Sequence, residues 1–212
     1  MKLVSITGPD DPRLRELYEG IYLAEFAAQR EPFEAWQRAL AGEVPYAFAV
    51  RVALDASGRV IGGIAFEHYP ASGCGLLTYL VVAPPARALG IGRALLEDAV
   101  HALHGAGASL VLGEVNDPRV HGPSAWPRLA RFQRWGARVL GVRYVQPALG
   151  EGLARDRGLL LIAFPPLPSR ISGMQVRAFV EELYGVTEGG APDREVEIGD
   201  EVPFEERGKP PP

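Results

Sequence analysis

A glycine turn between an apolar run and an amphipathic segment is the part of the sequence that most clearly suggests chemistry. The run Leu80 to Val82 is followed by Pro84 and Pro85, and then by Gly90 and Gly92 at the start of a stretch of helix formers. Glycines there let the backbone approach a ligand closely, and the free N–H groups and helix dipole favour a phosphate. The turn predicts an anion cradle made of backbone, although two glycines can also simply shape a tight turn.

Two other phosphate-binding motifs fit this turn less well. A Rossmann dinucleotide turn needs a third small residue after Gly-x-Gly-x-x, where this chain has Leu95. Glu114 stands roughly where a ribose-binding acid would lie, so this alternative is weakened but stays open. A Walker A loop is excluded, because the sequence has no Gly-Lys-Ser/Thr.

The whole block from Leu80 to Leu96 resembles the acyl-CoA signature of the GNAT N-acyltransferase superfamily. It reads L-x-V-x-P-x-x-R-x-x-G-I-G-x-x-L-L and contains that family's core, R/Q-x-x-G-x-G/A. The resemblance implies that acetyl-CoA or another acyl-CoA is the cosubstrate, with no metal. It further implies that the pantetheine arm pairs with the backbone of Leu80 and Val82, and that the pyrophosphate binds the turn formed by Arg87, Ala88, Leu89, Gly90, Ile91, Gly92, Arg93 and Ala94.

The periodicity of the chain predicts an α/β (α+β) fold with the element order ααβββαβαββα. Residues 11–41 predict two helices that meet at Glu31-Pro32, because proline is tolerated in a first turn but breaks a helix interior. Three antiparallel strands follow, then further elements in alternation: strands 46–54, 60–69 and 76–82, helix 90–104, strand 109–115, helix 124–135, strands 137–145 and 159–164, and helix 171–184. This order resembles the GNAT fold over residues 1–165, with a mostly antiparallel central sheet flanked by helices.

The C-terminal part of the chain differs in composition from the rest. Residues 1–185 are predicted to form the GNAT-like acyltransferase domain, and 186–212 an acidic tail rich in proline and glycine. Such a segment cannot bury enough apolar surface to offset its ordering entropy, so we expect it to be mobile and dispensable for folding. The alternation from Arg194 to Ile198 could still add an edge strand.

Composition narrows the class of protein. The net charge of -4 and pI of about 5.6 argue against nucleic acid as a partner. The single cysteine, Cys74, cannot form an internal disulfide, the N-terminus lacks the apolar run of a signal peptide, and no stretch approaches the ~18 apolar residues of a membrane span. We expect a cytoplasmic protein without a membrane partner, which could form a homodimer.

Direct acyl transfer needs a neutral amine, so a base must reach the acceptor. The candidates in the central strands are Glu67, His68, Tyr79 and Glu114. Glu67 and His68 are adjacent and therefore point to opposite faces of a strand. Glu114 ends an apolar strand directly after the signature helix and is our preferred base. The alternative is that Glu114 simply faces solvent at the end of that strand and has no catalytic role.

The proton donor to the departing thiolate has no single candidate in the sequence. The family often has a tyrosine in the helix before Gly136, and the matching position here is Phe132, which has no proton to give. Tyr144, Tyr79 or water could serve, so the predicted catalytic set is Glu114, Tyr79 and Tyr144. The acceptor would be a small-molecule amine or a protein N-terminus or lysine. The alternative is a catalytically degenerate, CoA-binding regulatory domain.

Two further residue patterns have a simpler interpretation. Trp126, Phe132 and Trp135 could line an acceptor pocket, but aromatic residues at helical spacing are more often core. His101 and His104 lie three apart on a helix without a supporting acid or cysteine cluster, so no metal site is predicted.

Overall fold

The structure is a computed structural model that describes residues 1–26, 31–150 and 152–207. The chain divides into two compact units. The first comprises Met1–His68 and Gly75–Gly107, and the second comprises Tyr69–Cys74 and the chain from Ala108 onward. The signature turn therefore belongs to the first unit, and Glu114 to the second.

The described residues of the first unit form four strands in the order of the sequence. They are β1 (Lys2–Ser5), β2 (Ala47–Leu54), β3 (Val60–Tyr69) and β4 (Cys74–Val82), and the pairs β1–β2 and β2–β3 are antiparallel. The last three strands confirm the predicted meander. The sequence did not predict β1, because four residues are too few for a periodic pattern and only pairing along β2 makes them a strand.

Four helices lie in the described part of the same unit. They are α1 (Pro12–Leu17), α2 (Leu23–Glu25), α3 (Phe33–Leu40) and α4 (Ile91–Gly105), with a π-helical turn at Tyr18–Tyr22 joining α1 to α2. The Asp11 side chain caps α1 by accepting from the Arg13 N–H at 3.0 Å. Pro32 is the N-cap of α3, so the predicted boundary at Glu31-Pro32 is confirmed. Residues 27–30 of this predicted helical region lie outside the described residues.

Helices cover both faces of these strands. Val50 and Val52 of β2 pack into a cluster with Trp36 of α3. Arg51, which lies between them, points the other way, and its Nε donates to Asp98 of α4 at 2.9 Å. This alternation along one strand places α3 and α4 on opposite sides of the sheet.

The second unit is built on another antiparallel arrangement. Its strands are β5 (Leu110–Asn116), β6 (Arg138–Leu140), β7 (Leu159–Phe164), β8 (Ile171–Ser172), β9 (Glu201–Val202) and β10 (Phe204–Glu205), paired in the order β5-β7-β6-β10 and, separately, β8-β9. Its helices are α5 (Pro118–His121), α6 (Trp126–Arg134) and α7 (Gly173–Thr187). The predicted fold class, a mostly antiparallel sheet with flanking helices, is confirmed. No helix within the described ranges has the length and apolarity to cross a membrane.

One predicted strand is much shorter than expected. The pattern over 137–145 gives only β6, since after Leu140 the chain leaves β7 and makes isolated bridges, from Arg143 to Glu197 and from Gln146 to Asp156. Tyr144 and Gln146 of this segment instead direct their polar groups to Glu114. Side-chain hydrogen bonds therefore replace strand pairing over this stretch.

The segment that follows α7 has defined contacts. Glu188 and Asp193 form ion pairs with Arg155 at 2.5 and 2.9 Å, and Asp193 also pairs with Arg157 at 2.8 Å. The expected mobile tail is therefore not what the structure shows for residues 188–207, because Glu188 and Asp193 have an arginine partner more than thirty residues away in sequence. The boundary at 185/186 remains a prediction, and residues 208–212 of the tail lie outside the described residues.

Candidate active site

The signature turn is open and its backbone is exposed. Ala88 and Gly90 have left-handed φ angles of 67° and 78°, and a Cβ added to Gly90 would meet no atom within 4 Å. Leu89 between them is 72% exposed. Helix α4 begins at Ile91 without a side-chain cap. Its first N–H groups therefore have no intrahelical acceptor and are available to a ligand.

Ala88 stands out because a residue with a Cβ rarely adopts a positive φ. The left-handed conformation costs about 1–2 kcal/mol for such a residue. Strained conformations of this kind cluster at ligand-binding turns, and successive N–H groups in left-handed turns form concave anion sites. The Ala88–Gly90 turn and the start of α4 thus have the chemistry of a phosphate cradle.

Arg87 anchors this turn to its surroundings. Its Nε donates to the Val82 carbonyl at 3.1 Å, and its guanidinium forms an ion pair with Glu25 at the end of α2. One lone pair of the Val82 carbonyl is therefore already used. Arg93, at the third position of α4, pairs with Glu97 at 2.8 Å on the exposed side of the helix.

Glu114 and Tyr144, two predicted catalytic residues, are brought together in the second unit. The Tyr144 hydroxyl donates to Glu114 Oε1 through a short hydrogen bond, and Gln146 Nε2 donates to Glu114 Oε2 at 2.6 Å. Gln146 is buried and pairs its backbone with Asp156. Both oxygens of the Glu114 carboxylate thus have a fixed partner, which rules out the solvent-facing strand end that the sequence allowed.

The environment of this pair changes its acidity. Burial raises the pKa of Glu114, and the hydrogen bonds from Tyr144 and Gln146 oppose that rise. Burial, together with the neighbouring Glu114 charge, raises the pKa of Tyr144 well above 10. Glu114 is therefore a stronger base than an exposed glutamate, and Tyr144 keeps its proton at neutral pH.

Tyr79, the third predicted catalytic residue, belongs to the first unit and is only 5% exposed. Its ring stacks on Trp36 at 5.6 Å and meets Tyr22 edge-on at 4.9 Å. Burial raises its pKa well above 10, and the nearby Glu31 charge adds to that rise. Tyr79 therefore keeps its proton at neutral pH.

Sequence reasoning missed Glu31, which it treated only as the end of a helix. The Tyr18 hydroxyl donates to the Glu31 carbonyl at 2.6 Å, and the Glu31 N–H donates to Tyr22 Oη at 3.0 Å. Burial raises the pKa of its carboxyl group, while Tyr79 and Trp36 lower it. The only signal in the sequence was an acid directly before a proline between two helices rich in aromatic residues.

The remaining candidates are structural. Phe132 is buried against Phe164 at 5.6 Å, which confirms the core interpretation for this residue. Cys74 is buried, and burial raises the pKa of its thiol to about 12, so it is a poor nucleophile. No group of three metal-ligating side chains occurs among the residues that the structure describes.

Comparisons with known proteins agree with this geometry. A sequence model of the acetyltransferase (GNAT) family matches residues 12–121, just over half of the chain. A GNAT-family protein from Bacteroides thetaiotaomicron has a TM-score of 0.69 at 18% identity, over 90% of this chain and 99% of its own. No curated sequence matches significantly.

Two enzymes of known name have the same fold. An aminoglycoside 6'-N-acetyltransferase in complex with coenzyme A gives a TM-score of 0.58 at 13% identity, and the match covers 80% of this chain and 100% of that enzyme. The ribosomal-protein-S18-alanine N-acetyltransferase from Escherichia coli gives a TM-score of 0.52 at 16% identity, and the match covers 79% of this chain and 95% of that enzyme. Such low identities establish the fold alone, whereas the family match covers the signature turn itself. The chain belongs to the acetyltransferase (GNAT) family.

Proposed function

We propose that this protein transfers an acetyl or other acyl group from acyl-CoA directly to a primary amine. The observation that carries the proposal is the exposed, uncapped start of α4, preceded by left-handed Ala88 and Gly90. Backbone donors in this arrangement suit a pyrophosphate. The related aminoglycoside acetyltransferase is in complex with coenzyme A, which supports the same cosubstrate here.

The residues of the turn fit the cosubstrate by their chemistry. The N–H groups from Leu89 to Ala94 would hold the pyrophosphate, and the backbone of Leu80 and Val82 would pair with the pantetheine arm. Bound acyl-CoA supplies an activated thioester. The turn's contribution is to hold that thioester in place, so that reaction with the amine becomes effectively intramolecular.

Proton transfer is assigned to three side chains. When the amine nitrogen attacks the thioester carbonyl, a C–N bond forms, the C–S bond breaks and the amine loses a proton. Glu114, whose pKa is raised by burial, accepts that proton. The thiolate takes a proton from Tyr79, from Tyr144 or from water, and both tyrosines keep their protons at neutral pH because burial raises their pKa values.

The acceptor is a small-molecule amine or a protein N-terminus or lysine. Structural relatives include an enzyme named for an aminoglycoside and one named for an alanine of ribosomal protein S18. The second candidate function is a CoA-binding domain that regulates without turnover. Phe132 favours it, since this buried side chain stands where the family often has a tyrosine.

Release of free thiol from acetyl-CoA with a panel of amines tests the proposal. We expect turnover with at least one primary amine, and a rise in melting temperature with CoA alone. Stabilisation by CoA without turnover on any small amine, peptide or lysine would support the regulatory alternative. If CoA gives no stabilisation and no amine is acetylated, both functions are refuted.

A further inference from the structure

Gln146 holds the oxygen of the Glu114 carboxylate that Tyr144 does not reach. Its Nε2 donates to Glu114 Oε2 at 2.6 Å, while the Tyr144 hydroxyl donates to Oε1. Gln146 is itself buried. Hydrogen bonds to an ionised group are about twice as strong as those between neutral groups, so this contact contributes to the orientation of the carboxylate.

The backbone that carries Gln146 is itself fixed by hydrogen bonds. The Gln146 N–H donates to the Asp156 carbonyl at 2.9 Å, and the Asp156 N–H donates back to the Gln146 carbonyl at 3.1 Å. The carbonyl of the preceding residue, Val145, accepts from the buried Tyr184 hydroxyl at 2.9 Å. A side chain on a supported backbone of this kind can hold a reacting group in one orientation.

The two partners of Glu114 differ in what they can do when the carboxylate gains a proton. A carboxamide nitrogen is a donor only, whereas a tyrosine hydroxyl can donate or accept. If the proton lies on Oε1, Oε2 becomes the carbonyl oxygen and still accepts from Gln146, and the Tyr144 hydroxyl can turn to accept the new O–H. If the proton lies on Oε2, Gln146 cannot accept it. The hydrogen-bond pattern therefore favours protonation of Oε1.

The proposed acyl transfer requires Glu114 to take a proton from the acceptor amine. We propose that Gln146 is a positioning residue for this step, which holds Oε2 of Glu114 as an acceptor and so directs the proton to Oε1. The N–H bond of the amine breaks, its electron pair stays on nitrogen, and an O–H bond forms at Oε1. Gln146 neither gains nor loses a proton. This role rests on the proposed function, because it requires Glu114 to be the base.

The charge on Glu114 depends on the same contacts. Burial raises the pKa of Glu114, the hydrogen bonds from Tyr144 and Gln146 lower it, and the nearby Asp156 charge raises it. Tyr184 adds to the rise in the pKa of Tyr144. Loss of the Gln146 donor would raise the pKa of Glu114 further, because the ionised form then has one partner fewer. A variant without that donor would need a higher pH before Glu114 can act as a base.

The first test asks which oxygen carries the proton, and it needs no acyl transfer. Infrared spectra of protein with isotope-labelled glutamate, recorded as the pH is lowered, show the C=O stretch of protonated Glu114, which Glu114→Gln identifies by its absence. We expect Gln146→Met to move this band to higher frequency, because the carbonyl oxygen Oε2 loses its donor. The control is Gln175→Met, which removes a carboxamide that donates to Ser72 and Ser109 and should leave the band in place. An unmoved band in Gln146→Met would overturn the proposal.

The second test is the pH–rate profile of acyl transfer. We expect the acidic limb of kcat/KM in Gln146→Met to move to higher pH by about one pH unit, as for the loss of one hydrogen bond to a charged group, while Gln175→Met keeps the parent's profile. A rate lowered by the same factor at every pH would show a merely structural role and refute the proposal. Turnover with an unmoved band and profile would refute the role of Gln146 alone, whereas a moved band in a protein that acetylates no amine would refute the acyltransferase function as well.

A third measurement uses the unmodified protein and so decides even if Gln146→Met does not fold. NMR follows the side-chain N–H resonances of Gln146 as the pH falls. We expect them to shift with the same midpoint as the Glu114 carboxyl group, because one group donates to the other. Resonances that do not follow Glu114 would refute the contact on which the positioning role depends.

Discussion

Replacing Gly92 by glutamate tests the CoA cradle directly. Gly92 is the second residue of α4 and has an ordinary helical backbone, unlike Gly90, so a longer side chain causes no backbone strain. The new carboxylate would lie where the pyrophosphate is expected. Two unit charges about 4 Å apart repel by about 4 kcal/mol at an effective dielectric constant of 20, and screening at this exposed turn reduces the effect to about 3 kcal/mol.

That repulsion is large compared with the stabilisation by the ligand. CoA at about one hundred times its Kd should stabilise the folded protein by about 2.7 kcal/mol. For a chain of 212 residues this corresponds to about 6 °C in Tm. A loss of about 3 kcal/mol weakens binding by about two orders of magnitude, so the same CoA concentration should raise the Tm of Gly92→Glu by less than about 1 °C.

Differential scanning fluorimetry with and without CoA measures the shift, and Gly105→Glu is the matched control. Gly105 ends the same helix and is exposed, and a Cβ added to it would meet no atom within 4 Å. This control adds the same charge far along α4 and should keep the full shift. A folded Gly92→Glu protein with the parent's shift would refute the assignment of the cradle, as would an equal loss in both variants.

Three further outcomes are expected. Glu114→Gln should lower turnover about a hundredfold or more at neutral pH, and less as the pH approaches the amine's own pKa near 10, because the amine then loses its proton without a base. Glu43→Gln is the control, and an unchanged pH–rate profile would remove Glu114 from the mechanism. Cys74 should resist iodoacetamide at pH 8 in the native protein and react after unfolding, because the thiol is buried and burial raises its pKa. Mass spectrometry measures the labelling, and labelling of the native protein would contradict the burial of Cys74. Truncation after Thr187 should lower the Tm, because Arg155 loses its carboxylate partners. Since Arg155 lowers the pKa of Glu188, the difference in Tm between the full and the truncated chain should be complete above about pH 4.5 and should shrink as the pH falls through that lowered pKa. An unchanged Tm would show that the segment is dispensable for stability.

Local patterns predicted most of the fold. Strand β3 has the predicted limits, Val60–Tyr69, and so does β7, Leu159–Phe164, because continuous apolar and β-branched runs between turn residues form buried strands. Helix α4 begins one residue later than expected, at Ile91. The exposed glycine turn before α4 could be predicted for the same reason, since glycine conformation and free N–H groups depend only on the turn and the helix that follows it.

Elements that depend on distant partners could not be predicted. The pattern over 137–145 indicated one strand, but its last part gives Tyr144 to Glu114, thirty residues away. The acidic segment after α7 lacked periodicity, and its order comes from ion pairs with Arg155 and Arg157. Composition measures how much apolar surface a segment can bury, and it does not register charges that another segment supplies.

The sequence by itself determined the family and predicted the turn at which the cosubstrate would bind, because a strand, a glycine turn and the start of a helix present backbone groups that are adjacent in the chain. Only the tertiary structure decided which acids have partners. It gave Glu114 two hydrogen-bond donors and placed Glu31 among aromatic rings, where burial raises the pKa of its carboxyl group. The reason is physical: a backbone site is set by local φ and ψ angles, whereas the charge and acidity of a carboxylate are set by desolvation and by neighbours that folding brings from elsewhere in the chain.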